Sequence, residues 1–415
     1  MYFVEIVIIV NVKNSIDLDL VKKIFCFSLG LLPAGVFIKI PALYILFFLI
    51  ILFSFGALLQ KTNSNKINLI NMLAFLSILL VIIFSYINGT VNIAMNNLSN
   101  YSLTSQFHLL LVNAIIIFSF FLFEDKKRCN YALYIIYGYT LLCFIKLICI
   151  SLISFKVITI YEFQQANKYI LGYIPVMQII TGSLVRVQYM NDILLLPIFS
   201  LILLNSNTLL RLDKFKTVIV LILFFSWVFT FSRFFFGAIS IITFLSLFVR
   251  KISRKEKFFI FVFFILIGIL FLWKYDLIYK MVETRFFSVE NSGSDEIRSI
   301  QFSYLFEQIK SMPLFGAGLG YFVDGYIRSS FTPYSYELQW ISLTMQLGFF
   351  GVIVYFIYFN IMAFGKIKKI SIKTLFLYSS FTLVILASFT NPLLFSISMI
   401  GVLIIFNEEV CFSSD

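Results

Sequence analysis

Apolar runs of about twenty residues recur along almost the whole chain, parted by short basic clusters, and this pattern constrains the fold more than any other feature. A bilayer core about 30 Å thick is crossed by roughly 20 helical residues at a rise of about 1.5 Å each. No water reaches the backbone there, so each run must close its own hydrogen bonds in a helix. The pattern predicts spans near 24–38, 41–59, 68–88, 107–123, 131–153, 189–205, 215–232, 234–249, 258–274, 337–360, 372–389 and 391–406. The expected fold class is all-α: a polytopic membrane helical bundle of about 12 transmembrane helices, with a large extracytoplasmic loop carrying short helices.

Of the 415 residues, 61% are hydrophobic and 13% charged, a balance suited to a chain whose apolar surface faces lipid. The net charge of +12 does not point to nucleic acid, because the lysines and arginines sit in short clusters between apolar runs and form no continuous patch. Segments assigned to the cytoplasmic side carry 20 of the 32 basic residues, so both termini are expected in the cytoplasm. The run 218–249 is flanked by Lys214 and Lys216 before it and by Arg250, Lys251, Arg254, Lys255 and Lys257 after it. Both of its ends are thus cytoplasmic, and it reads as a hairpin with its apex at Ser232 and Arg233 on the outer face. The opening MYFVEIVIIV lacks a small-residue cleavage pattern, and the first spans are expected to act as uncleaved signals. Five cysteines and a single histidine, His108, give neither a disulfide framework nor a metal spacing, so no metal or cofactor is expected.

Three parts follow: 1–274 with nine spans and an outer segment at 154–188, a large outer loop at 275–336, and 337–415 with the last three spans and a tail. In the large loop Ser294, Asp295 and Glu296 read as a helix start, acidic residues suiting the positive end of the helix dipole. Ile297, Ile300, Tyr304 and Leu305 keep a helical period and Pro313 stops it, which suggests an amphipathic helix at the membrane surface. GAGLG at 316–320 has no strand before it, so it reads as a flexible turn returning the loop over the bundle, not as a phosphate-binding loop.

Charged residues at span ends carry the candidate chemistry. Glu337 follows a turn-like Thr332, Pro333 and Tyr334 and opens an apolar helix; it is either a working carboxylate or one solvated at a helix N-terminus. Gly348 and Gly351 lie near its helix face, which predicts a close neighbouring helix there. Arg233 at the hairpin tip suits bidentate phosphate recognition, or else snorkels to headgroups. Arg298, Arg328 and Arg186 are expected on the same membrane face, and together with Glu337 they suggest an anion-binding reaction site. Asp192 lines a cavity or caps a helix.

These residues resemble those of the O-antigen polymerase and O-antigen ligase superfamily of membrane glycosyltransferases, whose architecture is GT-C-like. The resemblance is carried by SDEIRSIQFSYLFEQIKSMPLFGAGLGYF at 294–322, SYELQWISLTMQLGFFG at 335–351, FSRFFFGAIS at 231–240 and FTNPLLFSIS at 389–398. It covers the C-terminal half, while the first half is similar only in its number of spans. It implies an undecaprenyl-diphosphate-linked glycan as substrate at the outer face of a bacterial cytoplasmic (inner) membrane, no cofactor, and room for a chain-length regulator as partner. Arg233 and Arg298 would hold the pyrophosphate leaving group. Glu337 stands where the related ligases place a histidine, which implies polymerisation with Glu337 as base rather than ligation to lipid A core. Tyr321, Tyr334 and Tyr336 are candidate sugar contacts. The rival expectation from another class is a lipid-linked oligosaccharide flippase, which would show two similar halves and charges in mid-membrane cavities.

Overall fold

The computed structural model describes residues 18–32, 48–52, 68–96, 100–122, 130–171, 174–181, 184–206, 215–249, 289–327, 332–367, 370–389 and 393–413. The helices are α1 (Leu18–Leu31), α2 (Leu69–Asn96), α3 (Leu103–Phe121), α4 (Tyr131–Ser154), α5 (Ile160–Leu171), α6 (Leu195–Leu204), α7 (Lys216–Val228), α8 (Arg233–Val249), α9 (Val289–Ser311), α10 (Gln339–Phe364), α11 (Ile372–Ala387) and α12 (Ile397–Ser413). Four of them, α2, α3, α4 and α10, are long and apolar enough to cross a membrane. The apolar helices α6, α7, α8 and α11 are shorter. The expected span at 258–274 and most of that at 41–59 lie outside the described residues.

The fold is mostly helical, with one departure from the all-α expectation. Residues 176–188, read as part of a long loop, form an antiparallel hairpin of β1 (Val176–Thr181) and β2 (Leu184–Gln188). Alternation explains it: Val185 and Val187 are buried while Arg186 between them is not, the two-residue period of a half-covered strand. The hairpin docks on the turn joining α7 to α8, where the Val187 amide donates to the Phe229 carbonyl at 3.2 Å. That turn occupies the apex expected from charge, with Arg233 as the first residue of α8. A second departure concerns α9, which begins at Val289, ahead of the Ser294 start, and ends at Ser311 before Pro313.

Close crossings and buried polar ties hold the bundle. α1 crosses α4 at Gly30 and Gly138; a Cβ on Gly138 would run into the Phe27 carbonyl, and one on Gly30 into the Ile135 carbonyl. Small residues let the two backbones meet, the usual device where lipid supplies no hydrophobic drive between helices. The end of α1 is closed by Asn191, whose amide donates to the carbonyls of Leu29, Gly30 and Leu32 at 3.0–3.2 Å, while its oxygen accepts from Ser398 of α12 at 2.9 Å. At one end of the bundle Lys22 donates to the Phe120 carbonyl and lies over the Phe120 and Tyr131 rings. Asn71 reaches the Phe121 carbonyl at the same end. The starts of α1, α2 and α4 therefore gather with the end of α3, and the opposite end carries the hairpin, α9 and the start of α10.

The deepest tie is an ion pair within the apolar layer. Lys146 of α4 lies 3.1 Å from Asp192, with both side chains enclosed. Asp192 also accepts from the Tyr139 hydroxyl at 2.8 Å and the Tyr189 amide at 2.9 Å, and Lys146 reaches the Ser226 carbonyl of α7 at 3.3 Å. Asp192 thus caps the turn Met190–Leu194 rather than lining a cavity; its carboxylate ties α4 to the end of β2, and Lys146 extends the tie to α7. Removing one partner of such a pair leaves a buried charge without compensation. Lys146→Met is expected to lower stability by about 3–5 kcal/mol, and adding Asp192→Asn to restore much of it, as read by dodecyl sulfate titration in mixed micelles.

Candidate functional site

The candidate site forms where the loop after α9 enters a break in α10. At Gly348 the backbone takes φ 70° and ψ 176°, a conformation that only glycine adopts without strain. In an unbroken helix the amides of Phe349 and Phe350 would donate to the carbonyls of Met345 and Gln346. Here they donate instead to Pro313 at 2.9 Å and Leu314 at 3.2 Å. The freed carbonyls accept from the amides of Ala317 at 2.8 Å and Gly318 at 2.9 Å. Two intrahelical bonds are exchanged for four bonds to the loop, so none of these four groups is left orphaned. Gly348 therefore does not serve helix contact as its position suggested; a Cβ there would run into the Leu314 carbonyl. Gly351 does meet a neighbouring helix, facing Val81 of α2.

The GAGLG turn is clamped rather than flexible. Gly316, Gly318 and Gly320 all have positive φ. A Cβ on Gly318 would strike the backbone of Gly89 in α2. The Leu319 amide donates to the Ser85 carbonyl, and the Ser102 amide to that of Gly320 at 2.8 Å. Amide side chains from the spans take two further carbonyls: Asn88 donates to Gly316 at 2.9 Å and Asn92 to Ala317 at 2.8 Å. Gln106 of α3 donates to the Gln346 oxygen at 2.6 Å and accepts from the Gly320 amide. Gln346 in turn donates to the carbonyls of Tyr321 and Tyr334. None of these amides was singled out from sequence, although Asn88 and Asn92, four apart in an apolar run, and Gln346 within another were the available signal.

This clamp presents Glu337 and Arg298. Glu337 stands two residues before α10, and its Oε2 accepts from Arg298 Nε of α9 at 2.9 Å, both side chains partly exposed. Gln301, one turn further along α9, accepts from the Leu338 amide at 3.1 Å, and Gln339 accepts from the Leu394 amide at 2.8 Å. The chain just after Glu337 is therefore held in place. Leu305, Ile309, Val323, Tyr336, Leu338 and Met345 form a separate apolar core beneath the pair. Tyr336 is enclosed in it; its hydroxyl accepts from the Val323 amide at 2.9 Å and donates to the Tyr326 carbonyl at 3.3 Å. Burial pushes its phenol up to about 12, so it remains a neutral donor. Tyr321 is half-buried, donates to Gln308 at 3.0 Å, and is raised by burial and then by the nearby Asp324 charge. Tyr334 is buried with its hydroxyl 3.3 Å from Ser105.

Arg186 lies at the turn that precedes Arg233. Arg186 donates through Nε to the Thr230 carbonyl at 2.9 Å and through a terminal nitrogen to Gln188. It fastens the hairpin to the turn that leads into Arg233, which is itself partly buried. Arg328 lies outside the described residues. Among the described residues no three His, Cys, Asp or Glu side chains cluster in a way that could hold a metal ion.

Gly348→Ala combines backbone strain of about 1–3 kcal/mol with a clash against Leu314, so it is expected to lower the thermal midpoint in detergent. Gly237→Ala, inside α8 where a Cβ meets nothing within 4 Å, is expected not to lower it and to raise it slightly, alanine being the better helix former. No family model matches this chain, and neither a curated protein nor a solved structure was found to be similar to it.

Proposed function

We propose that this chain is a membrane glycosyltransferase of the O-antigen polymerase type, with about 12 spans and both termini in the cytoplasm. It would join undecaprenyl-diphosphate-linked repeat units on the outer face of the bacterial cytoplasmic membrane. The observation that carries this reading is the Arg298–Glu337 pair, which brings together at 2.9 Å a cation and a carboxylate 39 residues apart in sequence. The resemblance to the superfamily assigns those same two positions to the leaving diphosphate and the base.

In the proposed reaction a sugar hydroxyl of one lipid-linked repeat attacks the anomeric carbon of another. The bond from that carbon to the phosphate oxygen breaks, undecaprenyl diphosphate leaves with the electron pair, and the configuration inverts. The hydroxyl proton passes to the Glu337 carboxylate. Arg298, and Arg233 from the hairpin apex, stabilise the charge developing on the diphosphate. An incoming diphosphate competes for the Arg298 guanidinium and so releases Glu337 to act as base. Tyr321, half-exposed beside α9, is the tyrosine best placed to touch a sugar, since the Tyr336 hydroxyl is committed to backbone. The Lys146–Asp192 pair, the charged group a transporter would use, is enclosed and hydrogen-bonded by protein, which suits a structural tie better than a transport path.

Reconstituted with its own lipid-linked repeat, the protein is expected to produce a ladder of longer chains; a verified substrate and a folded protein with no ladder would sink the polymerase reading. Glu337→Gln is expected to slow elongation roughly 10²–10⁴-fold, the usual range for loss of a general base. Elongation at the wild-type rate would remove Glu337 from the reaction while leaving the enzyme class standing.

A further inference from the structure

The 313–320 loop contacts its helices far from their ends. In α2, Val81 meets Gly351 of α10, whereas Gly89, further along α2, meets Gly318 of the loop beside Gln346. The two helices are therefore antiparallel, and the end of α2 lies level with the start of α10. From Gln339 to Gly348 is nine residues, and from Ser85 to Met95, the end of the apolar stretch, is ten. At about 1.5 Å per residue the deepest contacts of the loop sit roughly 13–15 Å below both helix ends, well within a layer about 30 Å thick.

The outward face of the loop is apolar. Leu314 is 64% exposed and Phe315 51% exposed. The Phe315 ring lies 5.4 Å from Phe84 of α2 and 6.2 Å from Phe350 of α10, both exposed residues of helices long enough to cross a membrane. Leu80 and Ile353 extend the same surface along the two helices. The patch is thus continuous with the faces that two spanning helices turn to lipid. The inward face carries much of the loop's polar backbone: the carbonyls of Pro313 and Leu314 and the amides of Ala317 and Gly318 pair with α10, the Leu319 amide with Ser85, the Gly320 amide with Gln106, and the carbonyls of Gly316, Ala317 and Gly320 with Asn88, Asn92 and the Ser102 amide. Non-helical backbone at membrane depth is tolerated where it is held against protein in this way or lines a water-filled cavity.

We propose that residues 313–320 form a re-entrant segment inside the bilayer, with Leu314 and Phe315 in contact with lipid acyl chains. This surface is distinct from the Arg298–Glu337 pair and does not depend on the proposed reaction.

Single cysteines placed at Leu314 and Phe315 in a cysteine-free full-length chain, spin-labelled in proteoliposomes, test this through collisions with oxygen and with a water-soluble nickel chelate. Both positions are expected to favour oxygen, as a label at the lipid-facing Ile353 does, while a label at Asp324 favours the chelate. Chelate accessibility at 314 and 315 matching that at Asp324 would overturn the proposal. So would low accessibility to both reagents, which would mean that another part of the protein or a second copy covers the patch. If the cysteine-free chain does not fold, Phe315→Trp in the otherwise unchanged chain gives a second reading: added quenching by acyl-brominated lipid is expected, and its absence would equally overturn the proposal.

Discussion

The exchange of hydrogen bonds at Gly348 is the constraint on which the candidate site depends. A helix crossing lipid cannot simply be interrupted, because each orphaned amide or carbonyl in hydrocarbon costs several kcal/mol. The chain meets this by inserting residues 313–318 into the ladder, giving the carbonyls of Met345 and Gln346 and the amides of Phe349 and Phe350 partners on the loop. The break and the loop are therefore one unit, and neither conformation is affordable without the other. Glycines stand on both sides for the same reason: the close approach of Gly316 to the Gln346 backbone and of Gly348 to Leu314 leaves no volume for a Cβ.

From this unit the position of Glu337 follows. The loop is anchored to α10 at its start and to the 100–103 segment through Tyr101, Ser102 and the Asn100 carbonyl, so the chain between α9 and α10 has little freedom. Gln301 holds the Leu338 amide and the Gln339 side chain holds the Leu394 amide, so the chain leading from the carboxylate into α10 is tied to two other elements. Arg298 then meets Glu337 from a helix packed on the same small apolar core. With side chains 27% and 20% exposed, the pair stands between a surface ion pair, which solvent screens, and an enclosed one such as Lys146–Asp192.

Much of the architecture was legible because its signals are local. Apolar length predicted α2, α3, α4 and α10, and basic flanks predicted the α7–α8 hairpin with its turn before Arg233. The β-hairpin was not legible: five or six residues of alternation in a segment read as loop carry little weight against the helical bias around them. The start of α9 was misplaced because Ser294 and Asp295 are good caps, and a cap signal does not forbid helix upstream of it. The pairing of Glu337 with Arg298 could be anticipated only as two charges on one membrane face, since residue type says nothing about which carboxylate meets which guanidinium.

The amide side chains teach the more general point. From sequence, a carboxamide inside an apolar run is ambiguous between a functional group and a helix–helix hydrogen bond. Here Asn88, Asn92, Gln106 and Gln346 bind backbone or one another around the broken helix, and Asn191 binds the frayed end of α1. Each stands beside irregular main chain that lipid could not solvate. A carboxamide has both donor and acceptor and carries no charge to desolvate, so it can substitute for the missing helical partner of either kind. Two asparagines four residues apart in one span, with a glutamine in each of two others and a glycine following one of them, thus mark where a membrane helix opens, and the chemistry is to be sought among the charged residues that the opening holds in place.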